Sequence, residues 1–253
     1  MAMENQPDLC SPIQGGRLSS IYMGCSGWHY DHWLGVLYNS RRRYLEQYAR
    51  FFHSVEVNST FYRFPKEVQL KKWFDATPDD FVFSVKMNRY ITHTKRLHET
   101  RIALSDFFEI CEVLEHKLGP ILVGLAASFK KDIERLEEFL SFLPDHRFAF
   151  EFRHDSWFSD DVFDRFREHS NMALVMLGAH FDNNIECFKN FAYIRWHSRG
   201  GNLDVYSPEE LDYWARRIGE MSNVADVFGY WNHDLSGLKN CLDLASRLEV
   251  HNG

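Results

Sequence analysis

The sequence lacks an organised cysteine pattern. Only five of its 253 residues are cysteine, and they are scattered, with no CxxC pair and no spacing typical of zinc ligands. We therefore expect neither a disulfide framework nor a structural zinc site.

Long apolar runs and an excess of positive charge are also missing. No apolar stretch approaches the roughly 18 residues that a membrane span needs, and the N-terminal segment has no basic region followed by an apolar run. We expect a cytoplasmic protein with no membrane partner and a flexible tail over residues 1–18. The formal net charge of −7 gives no global basic footprint for nucleic acid, so only a local basic cleft could bind one.

Short β-rich runs alternate with helical patterns along the rest of the chain. The strand candidates are residues 21–27, 54–60, 81–87, 121–125, 148–152, 173–177, 191–197 and 226–232. Strict alternation indicates parallel strands joined by right-handed crossovers. Eight such units in about 250 residues are typical of a (β/α)₈ barrel. We predict an α/β fold, a single TIM-barrel domain over residues 19–253.

Local signals mark several helix starts. Pro65 is expected at the first position of a helix, and Ser207 with Glu210 has the spacing of a capping box. Ser159 is expected to cap the helix after strand five. The weakest unit is the sixth, because residues 178–190 show no convincing helix.

In several predicted strands, polar residues occupy the alternate positions that share one face of the sheet. In strand two, Val55 and Val57 suit the helix side, which leaves Glu56 and Asn58 pointing to the barrel axis. The same alternation directs a further set of polar side chains inward: Ser84, Lys86, Glu151, Arg153, Arg195, His197, Tyr230, Asn232 and Asp234. They cluster towards the C-terminal strand ends, where barrel active sites lie. The alternative is a set of buried structural ion pairs of Glu56 and Glu151 with Lys86, Arg153 and Arg195.

The loops at the same end carry polar residues too. Residues 88–99 form a long connection whose Arg89, His93, Lys95 and Arg96 are suited to closing over an anion. Glycine turns after strands seven and eight are typical of phosphate sites in such barrels. Trp28, at the end of strand one, is either a stacking platform or rim packing.

The leading hypothesis is an enzyme that acts on a small anionic, phosphorylated or carboxylated substrate. Glu56 or Glu151 would act as general acid or base, with His93 or His197 as its partner. Lys86, Arg153 and Arg195 would bind the anion. Further substrate-binding candidates are Asn58, Asn232, Asp234 and Trp28.

Three other functions stay open. One is metal-assisted hydrolysis or isomerisation, including that of a phosphodiester, with ligands among Glu56, Glu151, His197 and Asp234. A second is an aldolase-like reaction through a Schiff base on Lys86. A third is ligand binding without catalysis. We expect no cofactor, because no GxGxxG or P-loop fingerprint follows strand one. We also expect no metal, because the candidate ligands lie among arginines.

Several segments also resemble a known family. They are Gly24–Trp28, Val55–Arg63, Ile91–His93, Glu151–His154, Ser156–Trp157, Tyr193–His197 and Tyr230–Asp234. These blocks are similar to the signatures of the YecE-like family, domain of unknown function 72, in order from about residue 20 to 248. The resemblance implies a TIM barrel and supplies no reaction.

The chain departs from the family pattern at three places. Where the family has a Gln followed by paired prolines after strand four, this chain reads Gly124–Ala127. Asn232-His233 replaces a double Asn, and Ser198 replaces a Gly. These departures point to altered specificity or lost activity.

Overall fold

The computed structural model describes residues 21–177, 191–197 and 205–251. The strands in these ranges are β1 (Ile21–Cys25), β2 (Ser54–Val57), β3 (Val82–Lys86), β4 (Leu118–Gly124), β5 (Phe148–Glu151), β6 (Met172–Leu177), β7 (Phe191–Trp196) and β8 (Asp226–Trp231). The α-helices are α1 (Tyr44–Tyr48), α2 (Ser59–Tyr62), α3 (Glu67–Asp75), α4 (Arg101–Cys111), α5 (Ile133–Ser141), α6 (Asp160–Glu168), α7 (Pro208–Ser222) and α8 (Leu235–His251). Short 3₁₀ turns lie at Asp31–Trp33, Glu112–Lys117 and Asp155–Trp157, and a π-helical turn lies at Tyr90–Thr94.

The strands form one parallel sheet that curls into a barrel. Its order is β1-β8-β7-β6-β5-β4-β3-β2, and β8 pairs with β1 from Ile21↔Val227 to Cys25↔Trp231. The two ends of this order, β1 and β2, are also in contact. The predicted (β/α)₈ fold is confirmed.

A tyrosine hydroxyl bridges the seam between β1 and β2. Tyr48 of α1 accepts a hydrogen bond from the Cys25 N–H at 2.8 Å and donates one to the Ser54 carbonyl at 2.9 Å. Gly24 makes the close approach possible, since a Cβ there would lie 2.1 Å from the Ser54 oxygen. The hydroxyl therefore satisfies one backbone group on each strand where the strand pairing ends.

Alternate residues of each strand enter two separate cores. The outward set is buried under the helices as predicted: Val55, Val57, Phe150, Phe152, Ile194 and Trp196. The inward set forms a smaller cluster inside the barrel: Val82, Leu122, Ala149, Ala173, Val175, Phe191, Tyr193, Phe228 and Tyr230. The strand parity on which the site prediction depends is therefore confirmed.

Several predicted boundaries need correction. Strand two ends at Val57 and not at residue 60, because Asn58 has φ −89° and ψ −15° and leads directly into helix α2. Pro65 lies before the N-cap residue Lys66, so it does not open helix α3. Ser159 occupies the N-cap position of α6 without a capping hydrogen bond, and its hydroxyl contacts Lys131 Nζ at 3.1 Å.

The predicted capping box of α7 is confirmed. Ser207 Oγ accepts from the Glu210 N–H at 3.2 Å, and Glu210 Oε2 accepts from the Ser207 N–H at 2.8 Å. No helix among the described residues is both long enough and apolar enough to cross a membrane. The tail over 1–18, the sixth connection 178–190 and the turn after strand seven lie outside the described residues.

Candidate functional site

Arg195 of β7 is the centre of a buried charge cluster at the C-terminal end of the barrel. Its Nη2 donates to Glu56 Oε1 at 2.8 Å, its Nε lies 2.8 Å from Glu56 Oε2, and its Nη1 donates to Glu151 Oε2. Glu56, Glu151 and Arg195 are 0%, 1% and 5% exposed. One guanidinium thus joins β2, β5 and β7.

The Glu56 carboxylate is saturated with hydrogen bonds. Besides Arg195, it accepts from Ser26 Oγ, Asn58 Nδ2 and the Tyr193 hydroxyl, each at 2.9 Å. Burial favours the neutral acid, but the charges of Arg195 and Lys86 and the hydrogen bonds outweigh it, so the pKa of Glu56 is lowered. Glu56 is therefore a fixed anion.

Glu151 lies between Arg195 and the solvent. Its Oε1 accepts from Arg153 Nε at 2.7 Å and lies 3.7 Å from His197 Nε2. Burial opposes ionisation, but Arg195, with His197 and Arg153, brings the pKa of Glu151 well below its usual range. The carboxylate is a weak base, and its main effect is to hold two arginines.

A cavity of about 540 Å³ opens beside Glu151. Its polar wall includes Arg153, Asp155 and His197, and its apolar wall includes Phe158 and Leu177. The side chains of Arg153 and His197 are 45% and 44% exposed, so both can contact a ligand.

Lys86 and His93 contact a common ring, that of Phe61. Lys86 Nζ lies 4.7 Å from the ring centroid, and the His93 ring packs edge-on at 4.9 Å. Burial, with the charges of Lys86, Arg153 and Arg89, lowers the pKa of His93, while its Nδ1 lies 2.9 Å from Thr92 Oγ1. Of the two predicted histidines, His93 thus lies beside Phe61 and His197 beside Glu151.

Three predicted substrate-binding residues make other contacts. Asn232 Nδ2 donates to Asp234 Oδ2 at 2.6 Å, and Asp234 Oδ1 accepts from the Gly237 N–H at 2.6 Å. Asp234 thus caps the first turn of α8. Trp28 packs edge-on against Trp73, with ring centroids 5.0 Å apart.

The connection after β3 is more structured than the sequence indicates. After the π-helical turn, Arg96, Leu97 and Glu99 all have left-handed φ angles of 47°, 67° and 50°. Arg96 Nη2 donates to Ser128 Oγ at 3.2 Å, and Lys95 Nζ lies 3.6 Å from Glu99 Oε2. Lys95 and Arg96 are therefore engaged by Glu99 and Ser128.

The described part of the chain offers no set of ligands for the metal-assisted alternative. Among residues 21–177, 191–197 and 205–251, no group of three His, Cys, Asp or Glu side chains could hold an ion. Asp234 caps α8, and Glu56 bonds to Arg195.

Sequence reasoning missed part of the site. Ser26 and Tyr193 bind Glu56, and Tyr193 could have been found because it shares the parity of Arg195 on one strand. Phe61 lies in the family-like segment Val55–Arg63, but it was not predicted as a site residue because its side chain carries no polar group. Glu151, predicted as a general acid or base, has a buried carboxylate.

A family model described as "Protein of unknown function DUF72" matches residues 22–253. The chain belongs to this family. UPF0759 protein YecE of Escherichia coli K12 is 31% identical over 141 residues, which are 55% of this chain and 50% of YecE. The chain thus matches about half the length of that relative. UPF0759 protein YunF of Bacillus subtilis 168 is 23% identical over 86% of this chain and 90% of YunF.

Solved DUF72 structures share the fold. A family member from Thermotoga maritima MSB8 superposes with a TM-score of 0.77 at 25% identity, over 90% of this chain and 99% of that one. A member from Enterococcus faecalis V583 gives a TM-score of 0.70 at 19% identity, over 92% and 98%. The names of these relatives state no activity.

Proposed function

We propose that this protein is an enzyme that binds a small carboxylated or phosphorylated molecule at the C-terminal end of the barrel and moves a proton on it. Arg153 binds the anionic group, and His197 lies beside it in the same cavity. His93 accepts the proton, because its lowered pKa leaves the imidazole unprotonated at pH 7.

One observation carries the proposal: an exposed arginine and an exposed histidine are held over a cavity by a carboxylate that is itself buried. Arg153 Nε lies 2.7 Å from Glu151 Oε1, and Glu151 is in turn fixed by Arg195. Such buried support is the arrangement that preorganises a binding group. Arg195 already neutralises much of the charge of Glu56 and Glu151, so the exposed Arg153 is the cation that can bind an anionic ligand.

Glu56 and Glu151 act in this proposal as fixed anions and not as general acid or base. Their lowered pKa values keep them ionised at pH 7, and a general acid or base works best with a pKa near the working pH. His93 takes that role instead.

The test is a thermal-shift screen with inorganic phosphate, oxalate and 2-phosphoglycolate. An anion that binds only the folded protein stabilises it by about 2.7 kcal/mol at about 100 times its Kd. We expect at least one of these anions to raise the Tm of the wild type, and Arg153→Met to abolish that rise.

Arg165→Met is the matched control. Arg165 is as exposed as Arg153, at 43% against 45%, and it also pairs with a carboxylate, Glu137 at 2.7 Å. The control variant should keep the ligand-induced rise in Tm. An anion response that survives in Arg153→Met, or that no anion produces in the wild type, contradicts the proposal.

A further inference from the structure

The half-buried Lys86 differs from the buried Lys117 in what surrounds its ammonium. Lys117 is bound by three acceptors: the Phe74 carbonyl at 2.7 Å, the Thr77 carbonyl at 2.9 Å and Thr77 Oγ1 at 3.3 Å. Within the described residues, Lys86 Nζ has neither a hydrogen-bond acceptor nor an ion-pair partner. The Lys86 ammonium nitrogen lies over the face of the Phe61 ring, 4.7 Å from the ring centroid.

The carboxylates near Lys86 are occupied by other cations. Arg195 binds both Glu56 and Glu151, and Arg153 takes the remaining oxygen of Glu151. Burial and the Arg195 charge lower the pKa of Lys86, with Arg153 adding to the effect, and the attraction of Glu56 and Glu151 only partly opposes it. A desolvated lysine next to other cations is the recognised setting of a nucleophilic amine.

Gly124 lies beside the Lys86 side chain. A Cβ at this last residue of β4 would lie 3.6 Å from Lys86 Cε and 3.9 Å from Glu151 Oε2. Those are ordinary contact distances, so a Cβ would fit here, whereas a longer side chain would crowd the Lys86 side chain.

A group able to carry a proton stands on the same aromatic ring. His93 packs edge-on against Phe61, whose face contacts Lys86. Arg153 lies near enough to both Lys86 and His93 to act on their charges. An anionic group bound by Arg153 would therefore bring the rest of a small molecule towards the amine.

We propose that Lys86 forms an imine with the aldehyde or ketone group of a small anionic carbonyl compound. This rests on the proposed function, because Arg153 has to hold the anionic group. The amine lone pair adds to the carbonyl carbon, the C=O π pair moves to oxygen, and a proton passes from nitrogen to that oxygen. The carbinolamine then loses its hydroxyl with a second proton as water, so amine and carbonyl give imine and water without any redox partner.

The experiment traps that imine. The wild-type protein is incubated with pyruvate, dihydroxyacetone phosphate or glycolaldehyde and reduced with sodium borohydride, which converts the imine to a stable secondary amine. Peptide mass mapping then locates the adducts. We expect stoichiometric labelling of Lys86 by an anionic probe, and only traces on the exposed Lys71 or on the hydrogen-bonded Lys117 of the same digest.

Two variants support the assignment. Lys86→Arg keeps the charge but has no nucleophilic amine, so it should lose the adduct. Lys71→Arg, on the exposed side of α3, should keep labelling at Lys86. The decisive measurement is on the wild type, so it does not depend on how well Lys86→Arg folds.

The outcomes separate this inference from the anion site itself. Stabilisation by phosphate or oxalate with no Lys86 adduct from any probe overturns the imine and leaves the anion site standing. Labelling of Lys86 by glycolaldehyde without stabilisation by any anion supports the nucleophile and overturns the anion site. Labelling spread equally over Lys71, Lys86 and Lys117 also overturns the proposal.

Discussion

At the scale of single residues, Arg195 has a task that no other side chain could take over. Its planar guanidinium presents donors in a fixed fork, so it reaches Glu56 along one edge and Glu151 with its Nη1. Lysine, a point charge, could not hold both carboxylates in fixed orientations. Burying the three charges costs several kcal/mol per ion, which only this complete set of contacts offsets.

Removal of the guanidinium should therefore be more damaging than removal of the exposed arginine beside it. We expect Arg195→Met to lower the free energy of unfolding by about 3–5 kcal/mol, because two carboxylates stay buried without their partner. Arg153→Met, whose side chain is 45% exposed, should cost less than about 1.5 kcal/mol. Equilibrium urea unfolding measures both.

A double-mutant cycle checks the cause. Glu56→Gln combined with Arg195→Met should cost less than the sum of the two single changes, because the second substitution removes a charge that the first has already stranded. Additive losses, or an Arg195→Met variant as stable as Arg153→Met, would mean that the cluster is not a coupled buried unit.

At the scale of elements, the five-residue helix α1 fixes the barrel seam through one hydroxyl. Tyr48 joins β1 and β2 by two hydrogen bonds, one accepted from the Cys25 N–H and one donated to the Ser54 carbonyl. Its neighbour Tyr44 also donates a hydrogen bond, but to Asp31, whose side chain is 63% exposed. The two tyrosines of this helix thus differ in one respect. Water can replace the Tyr44 hydroxyl as the hydrogen-bond donor to Asp31, whereas the backbone groups bound by Tyr48 are buried.

Tyr48→Phe should lower the free energy of unfolding by about 3 kcal/mol, since an unsatisfied buried backbone group costs about 1–3 kcal/mol and two are created. Tyr44→Phe is the control and should cost less than about 1 kcal/mol, because water can solvate Asp31. Equal losses in the two variants would show that the seam does not depend on the Tyr48 hydroxyl.

The order and type of the elements could be predicted because both depend on local periodicity. Glu56 and Glu151 were placed inside the barrel by alternation alone, a property of any strand. The sharing of Arg195 between them could not be predicted, because it depends on three strands that are distant in sequence. The capping role of Asp234 had a local signal, an Asp directly before a helix, which the strand parity argument overrode.

At the scale of the whole molecule, the buried carboxylates tie stability to pH. The folded-state pKa values of Glu56 and Glu151 are lowered, so the unfolded chain takes up protons first as the pH falls. Their contribution is fully present above the unfolded glutamate pKa of about 4.3 and is lost as the pH falls from there through the folded values.

We expect the free energy of unfolding, measured in urea between pH 7 and pH 3, to fall steeply below about pH 4.3. Glu151→Gln should be less stable at pH 7 and show a shallower fall, because one linked proton is gone. Glu138→Gln, on the exposed face of α5, should follow the wild-type slope. A Glu151→Gln curve parallel to the wild type would rule out this linkage.

The exposed Arg153 and the whole chain have charges of opposite sign, and that affects how fast an anion arrives. The chain carries −7, whereas Arg153 presents a positive charge to the cavity. Salt screens charges beyond a Debye length of about 8 Å at physiological ionic strength. Salt therefore weakens the repulsion between the anion and distant negative charges of the chain more than it weakens the short-range attraction to Arg153. We expect the association rate of an anionic ligand to be higher at moderate salt than at low salt.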